Sequence, residues 1–576
     1  MIFRLILVLL VLPFFASSQN RKVYTQTPEY DQVISIFQEL DRISPYAQMK
    51  AIGSTDVGKP LHLFVLSSDK KFSASEAKQK GKCVIMINNA IHPGEPDGID
   101  ACIELARKYV STPSLLPENC VICIIPVFNV DGHLNRGKHS RANQNGPEEY
   151  GFRGNARNLD LNRDFVKSDA ANTRTFQSIF TEWKPDIFID THVSDGADYQ
   201  YVMTLIATQH NKLHPVLREY LDSTLVPDIY KGMKKRGQEI CPYVETKGET
   251  PESGIVGFLE TPRYSTGYAA LFNCIGFVTE SHMWKPYNDR VWATYEILEE
   301  IIQLADRDVA RIVALHKKAD EEVKKQRNYP VNWVLDTSKY DLIPFHGYTA
   351  LHPVSSITGK PRLYYDRTQP YTINIRYYNY YKANDTILAP EMYIIPKAWH
   401  EVVDRLKLNG VMMRRLKKDT VIQTEMSFIQ SFETVRNPYE AHYLHYQVSE
   451  KRFVAAVQYF KGDYVIELNQ AANRFIVETL EPVCNDSYFC WNFFDGILNQ
   501  KEWFSDYVFE EKAEIILKEQ PQIRQQLDSA KAADKNLADS HWSQINFIYQ
   551  RSIYKEPTHN RYPVGRIRKR VVLPLY

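Results

Sequence analysis

The amino-acid sequence predicts an α/β fold in which a mixed central β-sheet is flanked by helices, followed by a β-rich accessory domain and a mostly helical C-terminal region. Three observations lead there. In the first half, short wholly apolar runs of strand length alternate with longer segments of helical period. From about Val331 the texture changes to aromatic, β-prone alternation, and from Gln470 helical patterns return. A chain of 576 residues is expected to hold two to four domains. The expected divisions are a leader at 1–18, the α/β domain at 19–327, the accessory domain at 328–465 and the helical region at 466–576.

The chain opens with Met1-Ile2-Phe3-Arg4, an apolar stretch from Leu5 to Phe15, and Ala16-Ser17-Ser18-Gln19. These are the basic, apolar and small-residue regions of a secretory signal, with cleavage expected after Ser18. The stretch is shorter than the roughly 20 residues that span a bilayer, and no later segment supplies a span. The expectation is therefore an exported chain, periplasmic or extracellular, without an integral membrane segment. Lys and Arg number 70 and Asp and Glu 69, so loss of Arg4 with the leader leaves no formal net charge. Such a balance argues against nucleic acid or an anionic membrane as partner.

The run Cys83–Ile87 reads as a buried strand, as do Ile187–Ile189 and Ile275–Val278. Helical patterns cover Gly98–Val110, Thr173–Trp183 and Arg290–Ala305, then a charged run at Val309–Lys325, with Asn328-Tyr329-Pro330 as the expected boundary. In the accessory part a strand is expected at Tyr371–Tyr377, with turns at Gly359-Lys360-Pro361 and Lys382-Ala383-Asn384-Asp385. A strand at Tyr393–Pro396 and a helix at Ala398–Leu408, ended by Asn409-Gly410, follow. Further helices are expected at Glu510–Lys518 and Pro521–Ala532, and the aromatic cluster Tyr488–Phe494 reads as buried packing, with a ligand platform as the alternative. Eight cysteines are too few for a disulfide-built scaffold in so long a chain. Cys484 and Cys490 are spaced for a local bridge. Cys120 and Cys123 stand at an odd offset in one apolar run, so they face opposite sides of a strand and read as core.

The chemistry-bearing residues cluster around these strands. Ile91-His92-Pro93-Gly94-Glu95 follows the first one closely, and Asp190-Thr191-His192 continues the second. Two imidazoles and a carboxylate form a ligand set for Zn²⁺ that leaves its fourth position for a water, which the metal acidifies to a pKa of roughly 7. Downstream come Asn155-Ala156-Arg157-Asn158-Leu159-Asp160-Leu161-Asn162-Arg163 and Gly276-Phe277-Val278-Thr279-Glu280-Ser281-His282. Glu280 follows an apolar run, where partial desolvation suits a carboxylate to general-base work.

In order and spacing these pieces resemble the zinc carboxypeptidase family, from about residue 30 to 306. His192 lies 97 positions after Glu95, Asn162 30 before His192, and Glu280 88 after it. The resemblance implies an eight-stranded mixed sheet, one Zn²⁺ per chain held by His92, Glu95 and His192, and Glu280 as general base. It further implies that Asn162 and Arg163 anchor the substrate's terminal carboxylate and that Arg153 stabilises the oxyanion, with Arg157 as the competing position. Its substrates would be the C-termini of peptides or proteins. The family's capping tyrosine points near Phe258, which has no hydroxyl, so Tyr264 and Tyr268 are the candidate phenols. Glu260 is a candidate acid for a pocket that accepts basic residues. His282, two residues past Glu280, is expected to support the site from behind or to be merely structural rather than catalytic. Two other readings stay open: a zinc amidase or deacylase acting on cell-wall peptides, and a binding protein whose enzyme-like domain has lost turnover.

Overall fold

A computed structural model describes residues 21–576 of the chain; the leader expected at 1–18 lies outside the described residues. The first ten strands are β1 (Ala47–Ile52), β2 (Leu61–Ser67), β3 (Cys83–Asn88), β4 (Cys120–Ile125), β5 (Ile187–Ser194), β6 (Met203–Ala207), β7 (Cys241–Pro242), β8 (Glu245–Thr246), β9 (Ile255–Val256) and β10 (Ile275–His282). Eight of them form one mixed sheet in the order β1-β2-β4-β3-β5-β10-β6-β7. The central strands β4, β3, β5 and β10 are parallel, with β2 and β6 antiparallel on either flank.

Every residue of β3, β4 and β5 is buried, as expected of parallel strands covered on both faces. The helices Asp97–Ser111, Ala171–Trp183, Tyr287–Arg307 and Val309–Val323 supply apolar residues to this core. Two strands outrun their apolar stretches. β5 and β10 keep pairing to Ser194 and His282, with His192 opposite Glu280, so both residues lie inside strand ends rather than beyond them.

The second half contributes β11 (Asn328–Leu335), β12 (Asp341–Leu351), β13 (Tyr364–Tyr378), β14 (Tyr381–Leu388), β15 (Met392–Ile395), β16 (Arg414–Arg415), β17 (Thr420–Thr434), β18 (His445–Tyr459), β19 (Tyr464–Glu467) and β20 (Arg561–Ile567). β14 runs straight through the turn expected at Lys382–Asp385, because β11 offers it a cross-strand ladder that overrides the local turn preference. Pairing also crosses both expected boundaries. β13 pairs with β9 of the α/β domain, and β20 from the C-terminal region lies between β15 and β17. The helices Asp506–Glu519, Pro521–Ala533 and His541–Tyr549 surround a small core of their own. All eight cysteines are buried and unbridged. The bridge expected between Cys484 and Cys490 does not form; the Cys490 thiol instead donates to the Cys484 carbonyl at 3.2 Å.

Candidate active site

The C-terminal ends of β3, β5 and β10 converge at the sheet edge where parallel α/β folds gather ligands. After β3 the backbone turns through Ala90, at φ 56°, into the loop bearing His92 and Glu95. Gly98, in the helix that follows, permits close approach to β5: a Cβ there would stand 2.0 Å from Thr191 Oγ1. Ligand atoms of His92, Glu95 and His192, all three buried, lie within 4.8 Å of one another. His92 Nδ1 is 3.3 Å from Glu95 Oε1, and His192 Nδ1 is 3.1 Å from Glu95 Oε2. A tetrahedral zinc with bonds of about 2.0–2.1 Å has ligand-to-ligand edges of about 3.3 Å, so both donor set and spacing fit that ion. The buried His92 Nδ1 has no hydrogen-bond partner, as an atom reserved for a metal should not.

Carboxylates behind the histidines orient them. Asp160 Oδ1 accepts from His92 Nε2 at 3.0 Å, and Asp190 Oδ2 accepts from His192 Nε2 at 3.0 Å. In the tautomer that donates through Nε2, each Nδ1 turns its lone pair to the shared centre. Asp160 also takes Arg153 Nη2 at 2.8 Å and Nε at 3.0 Å, and the backbone amide of Asn162 at 2.8 Å. Burial raises the Asp160 pKa, but His92, then Arg153 and Arg163, outweigh it and hold the carboxyl far below its ordinary range. Burial likewise opposes charge on His192, yet Asp190 and Glu95 raise its pKa well above the usual value. Glu95 receives Arg141 Nη1 at 3.0 Å and the Val193 amide at 2.9 Å. Asp190 had a sequence signal, standing two residues before His192 on one strand face. Arg141 had none.

Above the cluster lies a cavity of about 470 Å³ whose walls include Arg153, Asn162, Arg163, Tyr243, Glu260, Tyr264 and Glu280. Arg153 Nη1 is 3.7 Å from Glu95 Oε1. Arg163 stacks 4.3 Å over the Tyr264 ring, and the Asn162 carbonyl oxygen accepts from the Ser265 amide at 3.0 Å, which leaves its amino group to donate. Burial, assisted by Glu95, Glu260 and Asp190 and opposed by His192, pushes the Glu280 carboxyl up to about 8. Glu260 is 4% exposed, and its Oε2 is buried without a hydrogen-bond partner. Burial and the nearby Asp190 push it up to about 8 as well.

Three sequence-level expectations sort out here. Tyr268 does not line the cavity: it is wholly buried, and its hydroxyl donates to Asn409 Oδ1 at 2.6 Å, because the helix Ser265–Ala270 turns it into the core. Arg157 points elsewhere, donating to the Asp169 carbonyl at 2.8 Å. His282 is wholly buried, with Nε2 donating to Ala197 O at 2.9 Å. Tyr243 is a cavity phenol that the sequence did not single out, since no local pattern marks it; its ring packs edge-on to Phe258.

Comparison with known proteins agrees with this geometry. Residues 33–194 match the family described as zinc carboxypeptidase. Carboxypeptidase 2 of Trichophyton equinum is 22% identical over 458 residues, covering 76% of this chain and 79% of its own. Carboxypeptidase 2 of Trichophyton rubrum is 20% identical over 499 residues, covering 81% and 84%. Among solved structures, a metallo-carboxypeptidase from Pseudomonas aeruginosa in complex with (2-guanidinoethylmercapto)succinic acid aligns over 49% of this chain and 69% of that one, at 14% identity and a TM-score of 0.36. His92, Glu95 and His192 all lie inside the matched segment and gather into one cluster, so this part of the chain is similar to the zinc carboxypeptidase family in sequence and in its candidate ligand set.

Proposed function

We propose that the chain removes C-terminal residues from peptides or proteins with one zinc ion held by His92, Glu95 and His192. It would act outside the cytoplasm, after export through the leader at 1–18. The reading rests on one observation: the ligand cluster, the Glu280 carboxylate, Arg153 and Arg163 share one cavity. Zinc bound there would polarise the scissile carbonyl and acidify a water. Glu280 takes a proton from the attacking water, whose oxygen bonds to the carbonyl carbon. As the C–N bond breaks, Glu280 hands that proton to the leaving amine. Arg153 neutralises charge developing on the carbonyl oxygen. Arg163, a fork of fixed charge, grips the terminal carboxylate with the Asn162 amino group beside it, which restricts cleavage to the last residue. The unpartnered Glu260 carboxyl in the wall favours substrates ending in lysine or arginine.

The test is mass spectrometry of peptides with free or amidated C-termini, incubated with the mature zinc-loaded chain and with Glu280→Gln. Loss of single residues from free-carboxylate peptides alone is expected. In the variant kcat should fall by about 10²–10⁴ while zinc is retained. Cleavage of amidated peptides at an equal rate would refute the carboxylate-anchoring role, and undiminished turnover by the variant would refute the base.

A further inference from the structure

The connection between β17 and β18, residues 435–444, leaves the accessory sheet and reaches the active site. We infer that Glu440, within this loop, is a positioning residue that serves the active site through Asp160. The inference rests on the roles given above to His92 and Arg153 and assigns a task to the second half of the chain.

Glu440 Oε2 accepts the backbone amide of Asp160 at 2.7 Å. Asp160 is the carboxylate that holds both His92 Nε2 and the Arg153 guanidinium. A single hydrogen bond from the accessory loop therefore sets the backbone of the residue that aims a metal ligand and the oxyanion arginine together. The loop adopts an unfavourable shape to make it. Glu440 and Ala441 stand consecutively in the left-handed region, at φ 51° and 66°, with no glycine to ease either. That conformation is held from both sides. The Tyr439 ring stacks on Trp491, and His442 Nε2 donates to Asp169 Oδ2 at 2.7 Å.

The far end of the same catalytic segment is gripped as well. Arg405, in the helix His400–Leu408, donates to Asp169 Oδ1 at 3.0 Å and to the Lys167 carbonyl. Residues 160–169, which carry Asn162 and Arg163, are thus fastened at both ends by side chains from beyond residue 400. The neighbouring wall is tied down in the same way, with Arg263 Nε donating to Asp486 Oδ1 at 2.7 Å. Apolar packing crosses this junction too, as where Phe272 stacks on Phe475, and to it the loop adds directed bonds to the backbone and carboxylates of the substrate-binding segment.

The experiment compares full-length Glu440→Ala, Glu440→Gln and, as a loop control, Tyr443→Ala, whose side chain is exposed. Zinc dissociation constants are measured by competition with a chromophoric chelator, alongside kcat and KM on a free-carboxylate peptide at saturating zinc. Removing a carboxylate bonded directly to a ligand histidine costs about 10–100-fold in metal affinity or activity, and Glu440 stands one bond further out. Glu440→Ala is expected to weaken zinc binding by up to about tenfold and to lower kcat at saturating zinc. Glu440→Gln keeps a carbonyl acceptor for the Asp160 amide and should restore most of both, while Tyr443→Ala stays at the wild-type values. Zinc affinity and kcat of Glu440→Ala within twofold of wild type would overturn the inference even if its melting temperature fell. Should Glu440→Ala not fold, Glu440→Asp, which withdraws the acceptor by one methylene, carries the same comparison. Zinc affinity is read without turnover, so a wild-type chain that cleaves no peptide would refute the proposed function while leaving this inference to the affinity measurement.

Discussion

Asp160→Asn offers a sharp test of how the site is assembled. The carboxylate takes one charge-assisted bond from His92, at 3.0 Å, and two from Arg153, at 2.8 and 3.0 Å. Asparagine keeps one acceptor oxygen and turns an amino group, itself a donor, towards donors. A bond to a charged group contributes about 1.5–3 kcal/mol net and a neutral one about 0.5–1.5, so each weakened bond costs about 1 kcal/mol or slightly more. The His92 bond alone bears on zinc, and its weakening corresponds to about tenfold in affinity, at 1.4 kcal/mol per factor of ten. The Arg153 bonds bear on the carbonyl oxygen, and losing both adds about 2–3 kcal/mol, or about 30–150-fold in kcat/KM. Zinc affinity from chelator competition and kcat/KM measured at saturating zinc separate the two effects. Values within twofold of wild type in both assays would refute the orienting role. Full recovery of kcat/KM in excess zinc would show that Asp160 acts only by retaining metal, and would remove Arg153 from the mechanism.

Glu260→Gln should lower the ratio of kcat/KM for lysine-ending over leucine-ending peptides by at least about tenfold, the value of a charged hydrogen bond; an unchanged ratio removes Glu260 from specificity. Tyr268→Phe should lower stability in urea by about 1–3 kcal/mol, because Asn409 loses its donor in the core, and should leave KM unaltered. A raised KM would return Tyr268 to the substrate. Burial lowers the pKa of His133 and of His282 to about 4. The unfolded chain takes up these protons near 6.5 and the native chain only near 4, so the stability they confer is present above about 6.5 and lost as pH falls towards 4. The loss is about 3 kcal/mol for each at about 1.4 kcal/mol per pH unit. Urea titrations between pH 7 and 4.5 should show a slope that His133→Gln flattens, and an identical slope in that variant would refute its share.

What the sequence determined was the part of the protein governed by local rules. Buried parallel strands are built around short apolar runs, so β3 and the apolar starts of β5 and β10 were legible, and with them the sheet edge to which His92, Glu95, His192 and Glu280 belong. Arg153, Asn162 and Arg163 line the cavity, as do Phe258, to which the spacing pointed, and Tyr264, one of the two phenols considered in its place. Tertiary structure decided whatever depends on partners distant in the chain. Tyr264 and Tyr268 look alike in a linear reading, yet one turn of helix sends the first to the cavity and the second to Asn409, 141 positions away. Tyr243 and Arg141 carry no local signature, because loops without periodicity bring them to the site. β20 enters the accessory sheet from the far end of the chain, since an antiparallel gap between β15 and β17 can be filled by a strand of any sequence distance. Glu440 lies 280 residues from Asp160. Hydrogen-bond donors and acceptors are too common along a chain for such a pair to be read from composition, and only the packed fold selects which of them meet.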